Sequence, residues 1–282
     1  LDAYALIYRS YYAFIRNPRF NSKGINTSAM LGFTNTLVQL LESENPLYIG
    51  VVFDVSEPTF RHKMYKEYKA NRETMPEDLQ KSIPYIRRII EAFNIPVIEK
   101  PGFEADDVIG TIAQKAKKEG FLTYMMTPDK DYAQLVEENI LMYKPAKQGG
   151  SPEIWGTKEV KENFGIEKSG QVIDILGLMG DSSDNIPGCP GIGPKTAQKL
   201  IAEFGSIENL YDNIDKLKGN QKEKLIENEQ QVRLSKKLVT IIRDVPIPFN
   251  KAELAREEFD RESLKALFEE LEFRNLTERL KL

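Results

Sequence analysis

The stretch Gly102-Phe103-Glu104-Ala105-Asp106-Asp107-Val108-Ile109-Gly110 places three carboxylates at the start of a predicted amphipathic helix. Apolar residues recur beyond it at steps of three and four, and Gly120 offers a place for the helix to end. A single acidic residue in the first turn would simply stabilise the helix dipole. Three carboxylates so close together repel one another unless a cation lies among them. The stretch therefore indicates an acidic helix start or a metal site, and the rest of the chain favours the metal site.

Several apolar runs predict buried strands of a parallel sheet. Residues 47–54 and 121–127 are nearly continuous apolar segments, and residues 140–143 form a shorter one. Residues 1–2 are interpreted as the end of a strand that begins before this numbering. Helical patterns at residues 27–41 and 79–93 alternate with the runs. Strands that alternate with helices predict an α/β fold with right-handed crossovers.

Acidic residues follow the carboxyl ends of these predicted strands. Asp2 and Asp54 end two of the runs, and Asp129 and Asp131 come directly after a third. Ligands of an open α/β sheet bind at that edge, where the helix beginning near Glu104 should also start. Each aspartate by itself could be a turn residue or a helix N-cap. Their common position favours one shared site.

A basic segment, residues 60–72, follows the second predicted strand. Five Lys and Arg side chains alternate there with Phe60, Tyr65 and Tyr68. Basic residues interleaved with aromatic ones suit a phosphate backbone with unstacked bases beside it. A solvated amphipathic helix whose tyrosines pack inward would give the same pattern, so both interpretations stay open.

The last third of the chain contains a second candidate ligand site. A buried helix predicted at residues 172–179 runs into a loop that carries Asp181 and Asp184. A glycine turn follows, and a helix is predicted to begin at about Pro194 or Lys195. Free N–H groups at that helix start, close to a flexible turn, favour bound phosphate. The residues of this predicted phosphate site are Gly191, Gly193, Lys195 and Lys199.

Composition excludes several kinds of chemistry. The net charge of the 282 residues is only −4, but acidic and basic residues fall in separate clusters. The one cysteine, Cys189, excludes an internal disulfide and suits a reducing compartment. No apolar run is long enough for a membrane span, and no signal peptide is recognised. The one histidine, His62, excludes Ser-His-Asp and Cys-His catalysis and zinc sites built on His and Cys.

The acidic residues instead predict a site for hard cations. Carboxylates suit Mg²⁺ or Mn²⁺, and an excess of them suggests two ions. Two such ions can activate a water and stabilise the leaving oxygen in phosphodiester hydrolysis. The sequence therefore predicts a metal-dependent nuclease whose candidate metal ligands are Asp2, Asp54, Glu104, Asp106, Asp107, Asp129, Asp131, Asp181 and Asp184.

Over essentially its whole length, the chain resembles the 5′-nuclease domain of bacterial DNA polymerase I, in the flap endonuclease superfamily. The motifs that carry the resemblance are, in order, Asp2 with Tyr8-Arg9, Val52-Phe53-Asp54, Phe60-Arg61-His62, Tyr68-Lys69-Ala70-Asn71-Arg72, Glu104-Ala105-Asp106-Asp107, Thr127-Pro128-Asp129-Lys130-Asp131, and Gly180-Asp181 through Lys195.

This resemblance implies an architecture. Residues 1–165 would form a Rossmann-like, PIN-like nuclease core with an arch over the active site at about residues 60–85. Residues 166–282 would form a helical region with a helix–three-turn–helix element at about residues 172–204. Backbone carbonyls around residues 188–195 would hold K⁺. The first divalent ion would be held by Asp2, Asp54, Glu104 and Asp106, the second by Asp129, Asp131, Asp181 and Asp184, with Asp107 near both.

The resemblance also implies roles and partners. Lys69 and Arg72 would hold the scissile phosphate, and Asp54 and Asp106 would complete the catalytic group. Tyr68 would support or stack on the substrate, and Arg9 would contact phosphate. The substrate would be DNA with a 5′ flap, a nick or a branch. We expect a monomer in the bacterial cytoplasm, associated with the nucleoid, with a polymerase domain following in the same polypeptide.

Four alternatives stay open at this point. A free-standing 5′–3′ exonuclease of the same superfamily would carry the same motifs. A PIN-like ribonuclease shares the carboxylate core, but the Gly191-Ile192-Gly193 element argues against it. An aspartyl-phosphate phosphatase would use Asp129 or Asp131 as its nucleophile. A structure-specific DNA-binding module with an inactive site is the option without catalysis.

Overall fold

The computed structural model describes residues 1–146 and 150–282. These residues form five β-strands, β1 Val51–Val52, β2 Val97–Ile98, β3 Thr123–Met126, β4 Ile140–Lys144 and β5 Glu153–Trp155. They also form fourteen α-helices, α1 Ala3–Ala13, α2 Ser28–Ser43, α3 Phe60–Met64, α4 Glu77–Ala92, α5 Ala105–Lys118, α6 Thr157–Phe164, α7 Val172–Met179, α8 Pro194–Phe204, α9 Ile207–Asp212, α10 Gly219–Glu227, α11 Glu229–Val239, α12 Lys251–Leu254, α13 Arg261–Leu271 and α14 Arg274–Leu280. No helix of this part of the chain is long and apolar enough to cross a membrane.

The chain folds into two compact units, each assembled from segments that are not consecutive. Unit 1 consists of Leu1–Val55, Thr74–Lys100 and Pro246–Leu282, and unit 2 of Ser56–Glu73 and Pro101–Val245. The predicted domain boundary at residue 165 follows the order of the chain, and it stays a prediction.

Unit 1 contains the parallel pair β1–β2, in which Val51 lies beside Val97. A parallel bridge between Asp2 and Val52 extends the pairing to the chain start, which agrees with the interpretation of residues 1–2 as a strand end. The strand predicted at residues 47–54 is reduced to two residues. Its earlier part bonds elsewhere, since the Ile49 N–H donates to the Leu254 carbonyl at 2.8 Å.

The last segment of unit 1 is tied to the two earlier ones. The Asp260 N–H donates to the Ala92 carbonyl at the end of α4 over 2.8 Å. The Asn21 side-chain amide donates to the Glu270 carbonyl on α13 over 3.2 Å. Buried Leu264 and Phe268 on α13 belong to the core. Unit 1 is therefore complete only when all three of its segments are present.

Unit 2 contains a three-stranded sheet in the order β3–β4–β5. β3 and β4 are parallel, as predicted, whereas β5 is antiparallel to β4. Strand β5 was not predicted, because three residues are too few to show periodicity. The predicted α/β fold is confirmed, with a mixed sheet in this unit.

Helix α5 has the predicted amphipathic form. Val108, Ile109 and Ala113 are buried, and Gly120 lies just beyond the helix with φ +84°. That left-handed conformation costs glycine little, so it ends the helix. The other end of α5, at Glu104, is the start of the candidate site.

A tight loop between Gly180 and Gly188 carries Asp181 and Asp184. A Cβ atom on Gly188 would lie 2.3 Å from the Gly180 nitrogen, closer than any side chain tolerates. Both glycines have positive φ, and the Asp181 and Ile186 backbones bridge the loop. The two close backbones fix where the loop aspartates lie.

Candidate active site

Glu104 is the centre of the polar network in unit 2. Its Oε1 accepts a hydrogen bond from Lys69 Nζ at 2.8 Å, and its Oε2 accepts one from the Tyr68 hydroxyl at 2.9 Å. Arg61 Nη1 donates to the same Oε2 at 3.3 Å. The Glu104 side chain is buried. A buried carboxylate with three donors is held in one orientation.

Asp184 faces the same cations from the loop. Its Oδ2 lies 3.2 Å from the Tyr68 hydroxyl and 3.8 Å from Lys69 Nζ, and its Oδ1 accepts from Arg72. The two segments also bond to each other, since the Asn71 side-chain amide donates to the Ser182 carbonyl at 2.7 Å. Segment 67–72 and loop 182–185 therefore form one connected piece.

Asp129, Asp131 and Asp181 form a second acidic group. The Asp129 carboxylate accepts the Asp131 N–H at 3.0 Å. Lys130 Nζ donates to Asp181 Oδ2 at 3.0 Å, and Ser183 donates to Asp181 Oδ1 through its N–H at 2.8 Å. The Thr127-Pro128-Asp129-Lys130-Asp131 motif thus brings a cation as well as carboxylates to the site.

Two carboxylates of the site have raised pKa values, for which burial is the main cause and neighbouring acids an additional one. Burial, with the charges of Asp129 and Asp181, raises the pKa of Asp131 well above 3.8. Burial also raises the pKa of Asp106 well above 3.8, with Asp107 and Glu104 adding repulsion that Arg61 opposes. Carboxylates in this condition become stable as anions when a cation joins them.

The donor set fits a hard divalent cation. The Oδ1 atom of Asp131 is buried and has no hydrogen-bond partner within residues 1–146 and 150–282, and an oxygen left in that way is available to a ligand. Oxygen ligands suit Mg²⁺ and Mn²⁺. Even so, no three Asp, Glu, His or Cys side chains of the described residues are arranged so that they could hold a metal ion together. Lysine and arginine side chains bond several of the carboxylates instead.

Asp107 differs from the other predicted metal ligands. Arg61 bonds both of its oxygens, Nη1 to Oδ2 at 2.7 Å and Nη2 to Oδ1 at 2.8 Å. The N–H groups of Glu104 and Ile242 donate to the same two oxygens at 3.2 and 2.8 Å. Its side chain is fully buried. These four bonds occupy both oxygens of Asp107 in this arrangement, which argues against the predicted role of Asp107 as a ligand near both ions.

Arg61 and Tyr68 are also not placed as the basic segment suggested. Arg61 is 1% exposed and Tyr68 is 3% exposed. The Tyr68 ring contacts His62 edge-on, and its hydroxyl serves Glu104 and Asp184. In this arrangement Tyr68 supports two carboxylates and presents no face for a base to stack on. The inward-packing interpretation therefore holds for Tyr68, whereas Lys69 and Arg72 line the site.

Asp2 and Asp54 lie in unit 1. The parallel pairing sets Asp2 beside Val52, with Asp54 two residues beyond, so both lie at the carboxyl edge of the strands. Asp2 is buried and caps α1 by accepting the Ala5 N–H at 3.2 Å. Arg9, on the same helix, has its pKa lowered by burial. The predicted roles of these residues toward metal and phosphate stay predictions.

The glycine turn leads into α8 as predicted. Gly193 is the N-cap and Pro194 the first helical residue. A Cβ on Gly193 would meet no atom of the described residues within 4 Å, whereas one on Gly191 would lie 2.7 Å from Lys224 Nζ. Lys195 and Lys199 follow on the first turns, and both are at least partly exposed. The turn therefore leaves room in front of a helix start that carries lysines.

Three contributions to the site were missed by sequence reasoning. Lys130 could have been found, because it stands between two predicted ligands. Ser183, which bonds Asp181, could have been suspected from the loop sequence. Arg61 stands in a motif of the resemblance, but no local pattern indicated its role, since its partners lie 43 to 179 residues away along the chain.

Comparisons with known protein families agree with this geometry. Residues 1–165 match the family of the 5′-3′ exonuclease N-terminal resolvase-like domain, and residues 167–262 match the 5′-3′ exonuclease C-terminal SAM fold. Both matches confirm the predicted family.

Two curated relatives and one solved structure extend the comparison. DNA polymerase I of Bacillus subtilis is 42% identical over 99% of this chain, which spans only 32% of that protein's length. The 5′-3′ exonuclease of Aquifex aeolicus is 38% identical over 98% of this chain and 92% of its own length. The bacteriophage T5 flap endonuclease, solved as a complex with DNA and metal ions, matches with a TM-score of 0.68 and 22% identity, over 84% of this chain and 86% of its own. That structure shares the fold.

Proposed function

Since the chain belongs to the 5′-3′ exonuclease family, whose members hydrolyse phosphodiester bonds in DNA, we propose that it is a divalent-metal-dependent 5′ nuclease. Its substrates would be DNA ends with a 5′ flap, a nick or a branch. The observation that carries the proposal is the contact of Lys69 and Arg72 with Glu104 and Asp184. A site in which lysine and arginine side chains lie beside several carboxylates can bind a phosphate through the cations and a metal ion through the carboxylates.

Two Mg²⁺ or Mn²⁺ ions, when bound, would supply an activated water and stabilise the leaving oxygen. The proposed ligands in unit 2 are Glu104, Asp106, Asp129, Asp131, Asp181 and Asp184. Asp2 and Asp54 of unit 1 are proposed as ligands on the sequence resemblance. We propose K⁺ at the backbone carbonyls of residues 188–195 on the same basis.

The residues of this chain would orient the phosphate. Lys69 and Arg72 would bind the scissile phosphate, because both already lie against the carboxylates and carry donors that suit phosphate. Tyr68 would keep Glu104 and Asp184 in place. Gly191, Gly193, Lys195 and Lys199 would bind the duplex backbone at the start of α8, and Arg9 a further phosphate.

The wider context is also a proposal. The chain spans about a third of the polymerase I relatives and nearly all of the Aquifex exonuclease. We propose that it acts in primer removal and repair as the N-terminal part of a DNA polymerase I, monomeric, cytoplasmic and associated with the nucleoid. A free-standing exonuclease is the second candidate, and the Aquifex match favours it.

A 5′-labelled flap on a nicked duplex tests the function. We expect release of the flap near the junction in Mg²⁺, none in EDTA, and almost none with Asp184→Asn. Asp212→Asn, a change at an exposed residue of α9, is the matched control and should cut like the wild type. Tight binding without cleavage in any divalent ion would instead indicate an inactive DNA-binding module.

Two further experiments test the ribonuclease and phosphatase alternatives. Preference for an RNA strand over the DNA flap would favour a PIN-like ribonuclease. Trapping of a phosphorylated Asp129 or Asp131 would favour a phosphatase.

A further inference from the structure

The Arg61–Asp107 pair is the most deeply buried charge pair of the candidate site. Both side chains are at most 1% exposed. The five N–H groups of the Arg61 guanidinium match five hydrogen bonds, two of them to Asp107. Neither residue has a donor or acceptor left for a ligand in this arrangement.

The pair joins three separate parts of unit 2. Arg61 lies on α3, in the segment that continues to Tyr68, Lys69 and Arg72. Its Nε donates to the Leu238 carbonyl and its Nη2 to the Thr240 carbonyl, each at 2.8 Å. Asp107, in the first turn of α5, accepts the Ile242 N–H from the same stretch. The segment that carries the proposed phosphate-binding residues is thereby fixed to the start of α5 and to the end of α11.

The pair also acts on Glu104 directly. Asp107 Oδ2 accepts the Glu104 N–H, and Arg61 Nη1 donates to Glu104 Oε2. Glu104 is thus held through its backbone and its side chain, and its Oε1 is directed at Lys69. Arg61 also compensates one of the three carboxylate charges of the Glu104-Ala105-Asp106-Asp107 motif.

We propose that Arg61 and Asp107 are positioning residues that orient Glu104 and anchor the Lys69 segment, and that neither binds metal or DNA. This proposal rests on the proposed metal-dependent nuclease function. In the Glu104-Ala105-Asp106-Asp107 motif, Asp107 would then orient Glu104 and would not bind metal. Substitution of a residue that does not bind the metal itself but orients its ligands typically lowers metal affinity and activity by about 10–100-fold.

The test compares Asp107→Asn and Arg61→Lys with Asp106→Asn. Mn²⁺ binding is measured by isothermal titration calorimetry without DNA, together with kcat and DNA affinity on the 5′ flap. With Asp107→Asn and Arg61→Lys we expect the wild-type number of bound Mn²⁺ ions, a Mn²⁺ affinity and a kcat lower by about 10–100-fold, and DNA affinity within about threefold. Asp106→Asn, which changes a proposed ligand, should bind fewer ions.

Two results would overturn the proposal. Loss of a bound ion with Asp107→Asn, as with Asp106→Asn, would make Asp107 a ligand. Wild-type Mn²⁺ affinity and kcat with Arg61→Lys, accompanied only by a lower melting temperature, would reduce the pair to a structural role. Lys236→Gln is the matched control, since it removes the partner of buried Asp174 in the same unit. It should lower the melting temperature without changing Mn²⁺ affinity or kcat.

A second measurement tests, without metal and without a change at Asp107, whether Arg61 contacts DNA. The salt dependence of duplex binding in EDTA should have the same slope for Arg61→Lys as for Arg61→Gln and the wild type. A slope smaller by about one for Arg61→Gln would mean that Arg61 contacts a phosphate. Failure of the wild type to bind Mn²⁺ or to cut the flap would contradict the proposed function, while this slope would still decide whether Arg61 touches DNA.

Discussion

The backbone N–H of Lys69 donates a hydrogen bond to the carbonyl of Asp184 over 2.9 Å. Lys69 itself has φ +57°, and Asn185, the neighbour of Asp184, has φ +56°. Left-handed conformations of this kind are uncommon outside glycine and persist where the surroundings determine them. The two backbones therefore fix each other's position. In the proposed role, the Lys69 ammonium would exchange a carboxylate for a phosphate without movement of its main chain.

Replacing Lys69 by methionine tests this role. Lys69→Met keeps the aliphatic chain and the left-handed backbone but removes the charge that bonds Glu104. We expect kcat on a 5′ flap to fall by about 10²–10³-fold, as for loss of one preorganised donor, while duplex affinity changes by less than about threefold. The measurement is single-turnover cleavage together with fluorescence anisotropy. Lys66→Met, exposed on the same segment, is the control. An equal loss of turnover and affinity would contradict the role.

The two acids Asp131 and Asp181 should affect stability in opposite directions. Because burial and repulsion raise the pKa of Asp131, its stabilising contribution is present below 3.8 and is lost as pH rises through the folded value. Burial disfavours the Asp181 anion, but hydrogen bonds from Ser183 and Lys130 outweigh that and lower its pKa below 3.8. Its contribution is therefore present above 3.8 and lost only as pH falls through the lowered value.

In EDTA at pH 8, Asp131→Asn should raise the melting temperature and Asp181→Asn should lower it. At pH 4 the gain with Asp131→Asn should shrink, because the wild-type carboxyl is then protonated in the folded state. The loss with Asp181→Asn should persist. Thermal unfolding by circular dichroism checks both, and a change of about 2–4 °C corresponds to about 1 kcal/mol. Shifts of the same sign at pH 8 would refute the assignment.

Lys195 should contribute to duplex binding and not to chemistry. Lys195→Ala should weaken binding of a nicked duplex and reduce the slope of log affinity against log salt by about one. Titrations at several KCl concentrations give the slope. Lys265→Ala, exposed on α13 in unit 1, should leave it unchanged. The same slope for Lys195→Ala and the wild type would exclude the predicted phosphate contact.

Two glycines of the loop and turn should respond differently to alanine. A Cβ on Gly193 meets no described atom within 4 Å, so Gly193→Ala should fold, at a cost of at most about 1 kcal/mol for the poorer N-cap. It should nevertheless weaken duplex binding by about tenfold, because the methyl group occupies the space in front of the helix start. Gly188→Ala should prevent correct folding, because its Cβ would lie 2.3 Å from the Gly180 nitrogen. Unchanged duplex affinity with a folded Gly193→Ala protein would remove the turn from the interface.

Much of the fold could be predicted because its long elements are periodic or continuously apolar. Helix α7 matches its predicted bounds, Val172–Met179, and α8 begins at Pro194 as predicted. The short elements β2 and β5 were missed, since two or three residues carry no period. The two-residue extent of β1 depends on Leu254, far along the chain, and no local pattern contains that information.

The candidate site also has a part that the sequence could predict and a part that it could not. Asp129, Asp131, Asp181 and Asp184 were predictable from their places after a strand and within a loop. The different condition of Asp107 was not, because its sequence context is nearly that of Asp106. The contacts of Asp107 with Arg61 and with the Ile242 N–H distinguish the two, and both are tertiary contacts.

The division of unit 1 into three segments has a consequence for synthesis on the ribosome. All of unit 2 has been made once Val245 is joined, whereas unit 1 waits for Pro246–Leu282. Asp260 and α13 then bond to Ala92 and Asn21, residues translated more than 150 positions earlier. A nascent chain has therefore received every residue around Glu104 and Asp184 before the last segment of unit 1 is synthesised.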